Sequence, residues 1–347
     1  MKDSDMKSTK IFLGVVDGED IYRYTLLNDN GIEIHVINYG VTITSILLPA
    51  KDGKKDNIVC GFNTLESYLT EEYRNNAPYF GAVIGRYCAT IAPGSYEGNE
   101  LTKNAGENTL HGGIKGFDKR VWKAEQIGNQ SIEFSLRSED GDQGFLGKVD
   151  ACVTLTINNN NELIFHYEAV SDKRTPLSMT NHTYYNLSGF EEDVLNHNVK
   201  IESTQTFAMD AKGNYVDNCK DVDGLATDLR ESTQIATLHE NLGSGAEHFY
   251  LFEGGLVETA RKVAEISLPS KERKLEVFTT EPGMLLYTAK YTSNNLCRES
   301  GEQFGQYRAF CCETHRVPNG PNLEGASDVF IDENKKFDSK TIFKFTF

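Results

Sequence analysis

The sequence lacks the spacings that mark most cofactor sites. None of its eight histidines falls in an HExxH or HxH pattern and no CxxC pair is present, so metal ligands would have to come from distant segments. No glycine-rich loop ends in Gly-Lys-Ser/Thr, none has the G-x-G-x-x-G context of a dinucleotide site, and the G-x-S-x-G elbow of serine hydrolases is missing. The nearest candidate, HGGIKG from His111 to Gly116, is a glycine-rich turn without the rest of a phosphate site. No cofactor and no metal are expected. Positive charge is also scarce: 35 Lys and Arg stand against 51 Asp and Glu, a formal net charge of −16, and no basic cluster offsets it. Nucleic acid and anionic membrane surfaces are therefore poor partners. No stretch approaches the length of a membrane span, and the opening MKDSDMKSTK has no apolar run, which predicts no secretion signal and a cytoplasmic location. Seven cysteines, an odd and scattered set that includes the adjacent Cys311 and Cys312, predict reduced thiols. Without a secretion signal, the acceptor patterns at Asn181 and Asn186 predict no glycosylation.

What is present is alternation. With 39% hydrophobic and 10% aromatic residues spread along 347 positions, the chain can bury a large core. DIYRYTLLNDNGIEIHV puts Tyr22, Tyr24 and Leu26 on one face, turns at Asn-Asp-Asn-Gly, and returns with Ile32, Ile34 and Val36. CVTLTINNNNELIFHYEAV repeats the pattern with Val153, Leu155 and Ile157, an Asn-rich turn, then Leu163, Phe165 and Tyr167. KLEVFTT, GMLLYT and the final FKFTF continue it, and Phe343, Phe345 and Phe347 predict that the chain ends as a strand. Helix signals are few. Thr64 caps a run with Leu65, Tyr68 and Leu69 in phase, and Ile235, Leu238, His239 and Leu242 precede Gly243. The reading is an all-β fold, a large antiparallel β-sandwich with a few short peripheral helices. It is expected to be one domain over residues 1–347, with residues 1–10 a flexible N-terminus.

Chemistry can sit where ionisable groups end apolar runs. Glu313 follows Ala309 to Cys312 directly, a position where burial would raise its pKa toward that of a general base, although a strand-end glutamate is usually solvated. His182, in TNHTYYNLSG, has the chemistry of a proton donor near neutral pH and could equally be a core histidine satisfied by Asn or Thr. His111 is flanked by glycines that allow close approach of backbone or ligand. Glu247 and His248 follow a glycine run suited to a pocket mouth or to any solvated loop, and Arg86 reads as a structural ion-pair partner rather than a substrate clamp.

Five segments, PYFGAVIGR, NTLHGGIKGFDKRVW, TNHTYYNLSG, TTEPGMLLYT and CCETHRVPNGPN, occur in the order seen in the galactose mutarotase (aldose 1-epimerase) family. The resemblance runs in one register from about Phe12 to the C-terminus. It implies an antiparallel β-sandwich with a sugar cleft on one sheet, and cofactor-independent exchange of the α and β anomers of a free hexose of the galactose or glucose type. By resemblance, Glu313 takes the proton of the anomeric hydroxyl, His182 protonates the ring oxygen, and His111 and Tyr184 contact the sugar. The implied partner is a monosaccharide, and either a monomer or a homodimer is compatible. Departures fall at binding positions. Ala89 and Thr90 stand where the family has a sugar-contacting asparagine and arginine, Glu247 where it has an aspartate, and Leu285 where it has a glutamine. Lost donors at a hydroxyl-reading site change specificity strongly, so galactose itself is not assured. Three functions remain open: an epimerase on these or other sugars, a non-catalytic carbohydrate-binding or regulatory protein, and a hydrolase or lyase using Glu247 and Glu313 as a carboxylate pair.

Overall fold

A computed structural model describes residues 10–209 and 214–347. The N-terminal stretch expected to be flexible therefore lies outside the described residues as far as residue 9, and Lys10 opens the strand Lys10–Val16. Both predicted hairpins form. Glu19–Leu27 pairs antiparallel with Glu33–Ile37, with Leu26 opposite Ile34. Asn28 closes the turn, its Oδ1 accepting from Ile32 N–H at 2.9 Å, and Gly31 takes the left-handed conformation at φ 88°. Val149–Ile157 pairs with Glu162–Ser171 so that Val153 faces Tyr167, Leu155 faces Phe165 and Ile157 faces Leu163. All six of these side chains are buried.

The largest sheet has nine antiparallel strands. The C-terminal strand Phe337–Thr346 sits fifth in its order, between Glu162–Ser171 and Arg273–Thr279. The last strand is thus central, and its buried Phe343 and Phe345 are core residues, whereas Phe347 lies beyond the strand and is exposed. One face of this sheet, through residues such as Phe134, Leu155, Phe165 and Val277, shares a core with two five-stranded sheets. The first of these contributes Leu26, Ile34, Val36 and Ile46, and the second contributes Tyr250, Met284, Leu286 and Cys312. The packing is driven by apolar area removed from water, roughly 1.5–3 kcal/mol for each large side chain.

The two predicted helices appear with one correction. Ile235–Leu242 ends at Gly243 in the left-handed conformation, as expected of a glycine C-cap. The other run breaks in two, Leu65–Leu69 and Glu71–Asn76. Thr64 makes no capping bond, its hydroxyl being engaged with Ser67 and Glu299, and Thr70 caps the second helix by accepting from Tyr73 N–H. No helix among the described residues is long and apolar enough to cross a membrane.

Candidate active site

The site grows from the second five-stranded sheet. Cys311–His315 pairs with Gly283–Tyr287, which pairs with Glu247–Leu251. Glu313 stands directly opposite Leu285, and Tyr287 opposite both Cys311 and Glu247. Side chains alternate across a strand, so Cys312, Met284, Leu286 and Tyr250 enter the main core while Glu313, Leu285, Tyr287 and Glu247 share the opposite face. Those four line a cleft of about 230 Å³ together with His111, His182, Tyr184, Tyr79 and Asn76.

His182 is delivered by a different element. Thr180–Asn181 pairs with Val83–Ile84, and His182 N–H donates to Ala82 O at 2.8 Å. Its ring is layered between Tyr184, at 5.0 Å and 9°, and Tyr79, at 6.0 Å and 18°. Held there, Nε2 lies 3.4 Å from Oε1 of Glu313, and Nδ1 lies 3.6 Å from the Cys311 thiol. His111 comes from the glycine-rich turn at φ 52°. A Cβ on Gly112 would meet Gly85 O at 2.0 Å, so the glycine serves close backbone approach rather than a ligand. Ala89 N–H donates to His111 Nδ1 at 3.2 Å, which leaves the ring proton on Nε2 and makes His111 a hydrogen-bond donor.

Burial sets the protonation of the pair. Glu313 is fully buried, and this, with the charge of Glu247, raises its pKa to about 8. Burial lowers His182 to about 3, and pushes His111 well below its ordinary value. In the empty cleft near neutrality the pair therefore carries one proton, on Glu313, and both histidines are neutral. Glu313 Oε1 has no hydrogen-bond partner among the described residues, a buried acceptor position free for a ligand hydroxyl. The ligand atoms of His111, His182 and Glu313 lie within 4.8 Å of one another, close enough to share a divalent cation. A cation there would have to displace the proton that burial keeps on Glu313, and at His111 either the Ala89 N–H bonded to Nδ1 or the ring proton on Nε2.

Of the residues singled out from the sequence, His111, His182, Tyr184, Glu247, Leu285 and Glu313 meet in the cleft. Thr90 does not line it; Thr90 pairs with Leu110, which does. Ala89 acts through its backbone bond to His111. Arg86 is structural but not as an ion-pair partner: it is buried and donates to Ser138 Oγ and to the carbonyls of Ser138, Glu139 and Leu146. Asn181 and Asn186 are buried, and all seven cysteines are free. Sequence reasoning missed Tyr79, Tyr287 and Lys290, whose Nζ holds Glu247 Oε2 at 2.7 Å. It also missed the Cys88 thiol, 4.0 Å from Glu313 Oε2. For Tyr287 a signal existed, since it follows Leu285 by two in an alternating strand; Tyr79 and Lys290 left none.

A wide antiparallel sandwich carrying a buried carboxyl–imidazole pair in a small aromatic-lined cleft fits the comparison with known proteins. The family model for aldose 1-epimerase matches residues 22–344, and the chain belongs to that family of isomerases. It is similar to galactose mutarotase of Bos taurus, 33% identical over 332 residues covering 94% of each chain. It is also similar to aldose 1-epimerase of Escherichia coli K12, 30% identical over 341 residues, 95% of this chain and 96% of the other. Among solved structures, galactose 1-epimerase from Lactobacillus acidophilus NCFM superposes with a TM-score of 0.83 at 27% identity, covering 98% of both chains.

Proposed function

We propose that the chain interconverts the α and β anomers of a neutral free aldose, with Glu313 and His182 exchanging protons with the anomeric hydroxyl and the ring oxygen. The observation that carries this reading is the buried pair itself: Glu313 Oε1 without a hydrogen-bond donor, 3.4 Å from His182 Nε2, at the floor of a cleft sized for one sugar. A sugar hydroxyl bonded to Oε1 favours the carboxylate, and the pair's single proton then passes to His182. Glu313 takes the anomeric proton, His182 protonates the ring oxygen, and the ring opens to the aldehyde. Opening leaves Glu313 protonated and His182 neutral, the distribution that burial favours in the empty cleft. After rotation of the aldehyde, Glu313 returns its proton to the carbonyl oxygen and His182 accepts the hydroxyl proton, closing either anomer. His111 Nε2–H and the Glu247 carboxylate bond the sugar's other hydroxyls, and Tyr184, Tyr79 and Tyr287 face its C–H surfaces.

Charge favours a neutral substrate. Among the described residues no Lys or Arg lines the cleft, and Lys290 at its edge is already paired with Glu247. Leu285, facing Glu313 where an amide would read a hydroxyl, points to relaxed discrimination among hexoses and pentoses. The test is NMR magnetisation transfer between anomers of glucose, galactose, xylose and arabinose. Exchange above the spontaneous rate on at least one of them is expected; none on any, with folded protein, sinks the proposal.

Lys290 offers a finer check. Lys290→Met releases Glu247 and leaves its charge uncompensated beside Glu313. KM is expected to rise about fivefold with a smaller change in kcat, because ground-state binding is what the orientation of Glu247 serves. The alkaline limb of the kcat/KM profile should move to higher pH, since Glu247 is the charge that raises Glu313. An unmoved limb would show that Glu247 is not coupled to the pair.

A further inference from the structure

A second cavity, of about 420 Å³ against 230 Å³ for the catalytic cleft, is built from other elements. The strand Lys10–Val16 supplies Val16, the helix Glu71–Asn76 supplies Tyr73 and Arg74, and the turn after His111 supplies Ile114 and Lys115. None of His111, His182, Glu247 and Glu313 lines it, so the proton-exchange groups are out of its reach. Its shared wall with the cleft, Ala77 and Tyr79, holds positive φ at 45° and 57°. That backbone is costly for residues with side chains, and it fixes the wall in place before any ligand arrives.

The lining is aromatic with one unmatched charge. Tyr39, Tyr73 and Tyr79 are half-buried, and Tyr68 packs edge-on against Tyr73 at 5.5 Å. Three cations, Arg74, Lys115 and Lys119, face two carboxylates, Asp17 and Asp118. Lys115 pairs with Asp17 at 2.5 Å and Lys119 with Asp118 at 2.6 Å. Arg74 is left over: it is exposed and, among the described residues, in no ion pair. It stands close enough to Tyr39 for its charge to act on the hydroxyl, which puts the guanidinium beside the aromatic wall. In a chain of net charge −16 this is a local excess of one positive charge against ring surface. Such a pairing suits a flat monoanion: the tyrosines pack against its ring, and the planar guanidinium bonds both oxygens of a carboxylate. A small inorganic anion would leave the rings wet, and a neutral hydrocarbon would leave the guanidinium without a partner.

We propose that this cavity is a binding site, separate from the sugar cleft, for a planar aromatic carboxylate, whose ring lies among Tyr39, Tyr73 and Tyr79 and whose carboxylate is held by Arg74. The site stands whatever chemistry the cleft performs.

The test titrates 2-naphthoate, its neutral isostere 2-naphthamide, and acetate by calorimetry into the wild type, Arg74→Gln and Arg74→Glu. Arg74 is exposed and lines only this cavity, so the substitutions leave the catalytic cleft intact, and equal melting temperatures would show that the variants are folded. On the wild type 2-naphthoate should bind about tenfold tighter than 2-naphthamide, and acetate should not saturate. Arg74→Gln should bring 2-naphthoate to within about twofold of the amide, and Arg74→Glu should make it the weaker of the two. 2-Naphthamide should bind all three proteins alike. If 2-naphthoate binds the wild type no tighter than the amide, or its advantage survives both substitutions, the site is refuted. Acetate binding as tightly as 2-naphthoate would refute it too, since the rings would then contribute nothing.

Discussion

Glu313→Gln is expected to abolish catalysed anomer exchange, a loss of at least about a thousandfold, and to make the protein more stable at neutral pH. The first effect follows from removing the group that takes and returns the anomeric proton. The second follows from the raised pKa. A carboxyl whose folded value, about 8, exceeds its unfolded value gives stability that is complete below the unfolded pKa and is lost as pH rises through the folded one. Between the unfolded value near 4.3 and pH 7 the wild type loses on the order of 4 kcal/mol in this way, which the neutral amide does not. At pH 7 the variant should melt about 4 °C higher, with the gap closing below about pH 4.5. Thermal scans at several pH values check the second effect and magnetisation transfer the first. A variant that loses activity and stability together would mean that Glu313 is ionised in the fold and held by a partner. That a catalytic group should cost stability is the usual bargain of a desolvated site.

The strands were legible because their faces differ. In Val149–Ile157 every second side chain is buried, so polarity alone announces which face meets the core. The C-terminal strand was legible for the same reason, but its place in the middle of the largest sheet was not, because pairing with Glu162–Ser171 and Arg273–Thr279 spans about half the chain in one direction and 60 or more residues in the other. The helix over Thr64–Tyr73 was read as one because its apolar phase is continuous; hydrogen bonding of Thr64 to distant Glu299 and capping by Thr70 divide it. Glu313 and His182 could be singled out as ionisable groups beside apolar or aromatic runs, yet their meeting at 3.4 Å depends on two sheets converging. Lys290 gave no sign, since its partner Glu247 is 43 positions away and reaches it only through the pairing of Glu247 with Tyr287. Tyr79 gave none either, because a tyrosine at left-handed φ is not something a pattern of apolar residues foretells.

Between pH 8 and 10, kcat/KM for the best sugar should fall about a hundredfold, a tenfold loss per unit, and between about pH 4 and 7 it should be flat. The productive form for ring opening has Glu313 as carboxylate and His182 protonated, which contains the same number of protons as the resting form with Glu313 protonated and His182 neutral. The ratio of these two forms does not depend on pH, so activity is constant wherever the pair holds one proton. Above about 8 that proton leaves, and no acid remains for the ring oxygen. A neutral-pH limb near the ordinary histidine value is therefore not expected, because burial has moved His182 to about 3. Leu285→Gln supplies the discriminating variant. Leu285 faces Glu313 across the strand pair and helps keep it dry, so an amide there would hydrogen-bond the carboxylate and move the limb to lower pH. A wild-type profile that rises through pH 6 to 7 would instead assign the two residues independent, unshifted titrations and would remove burial as the source of their chemistry.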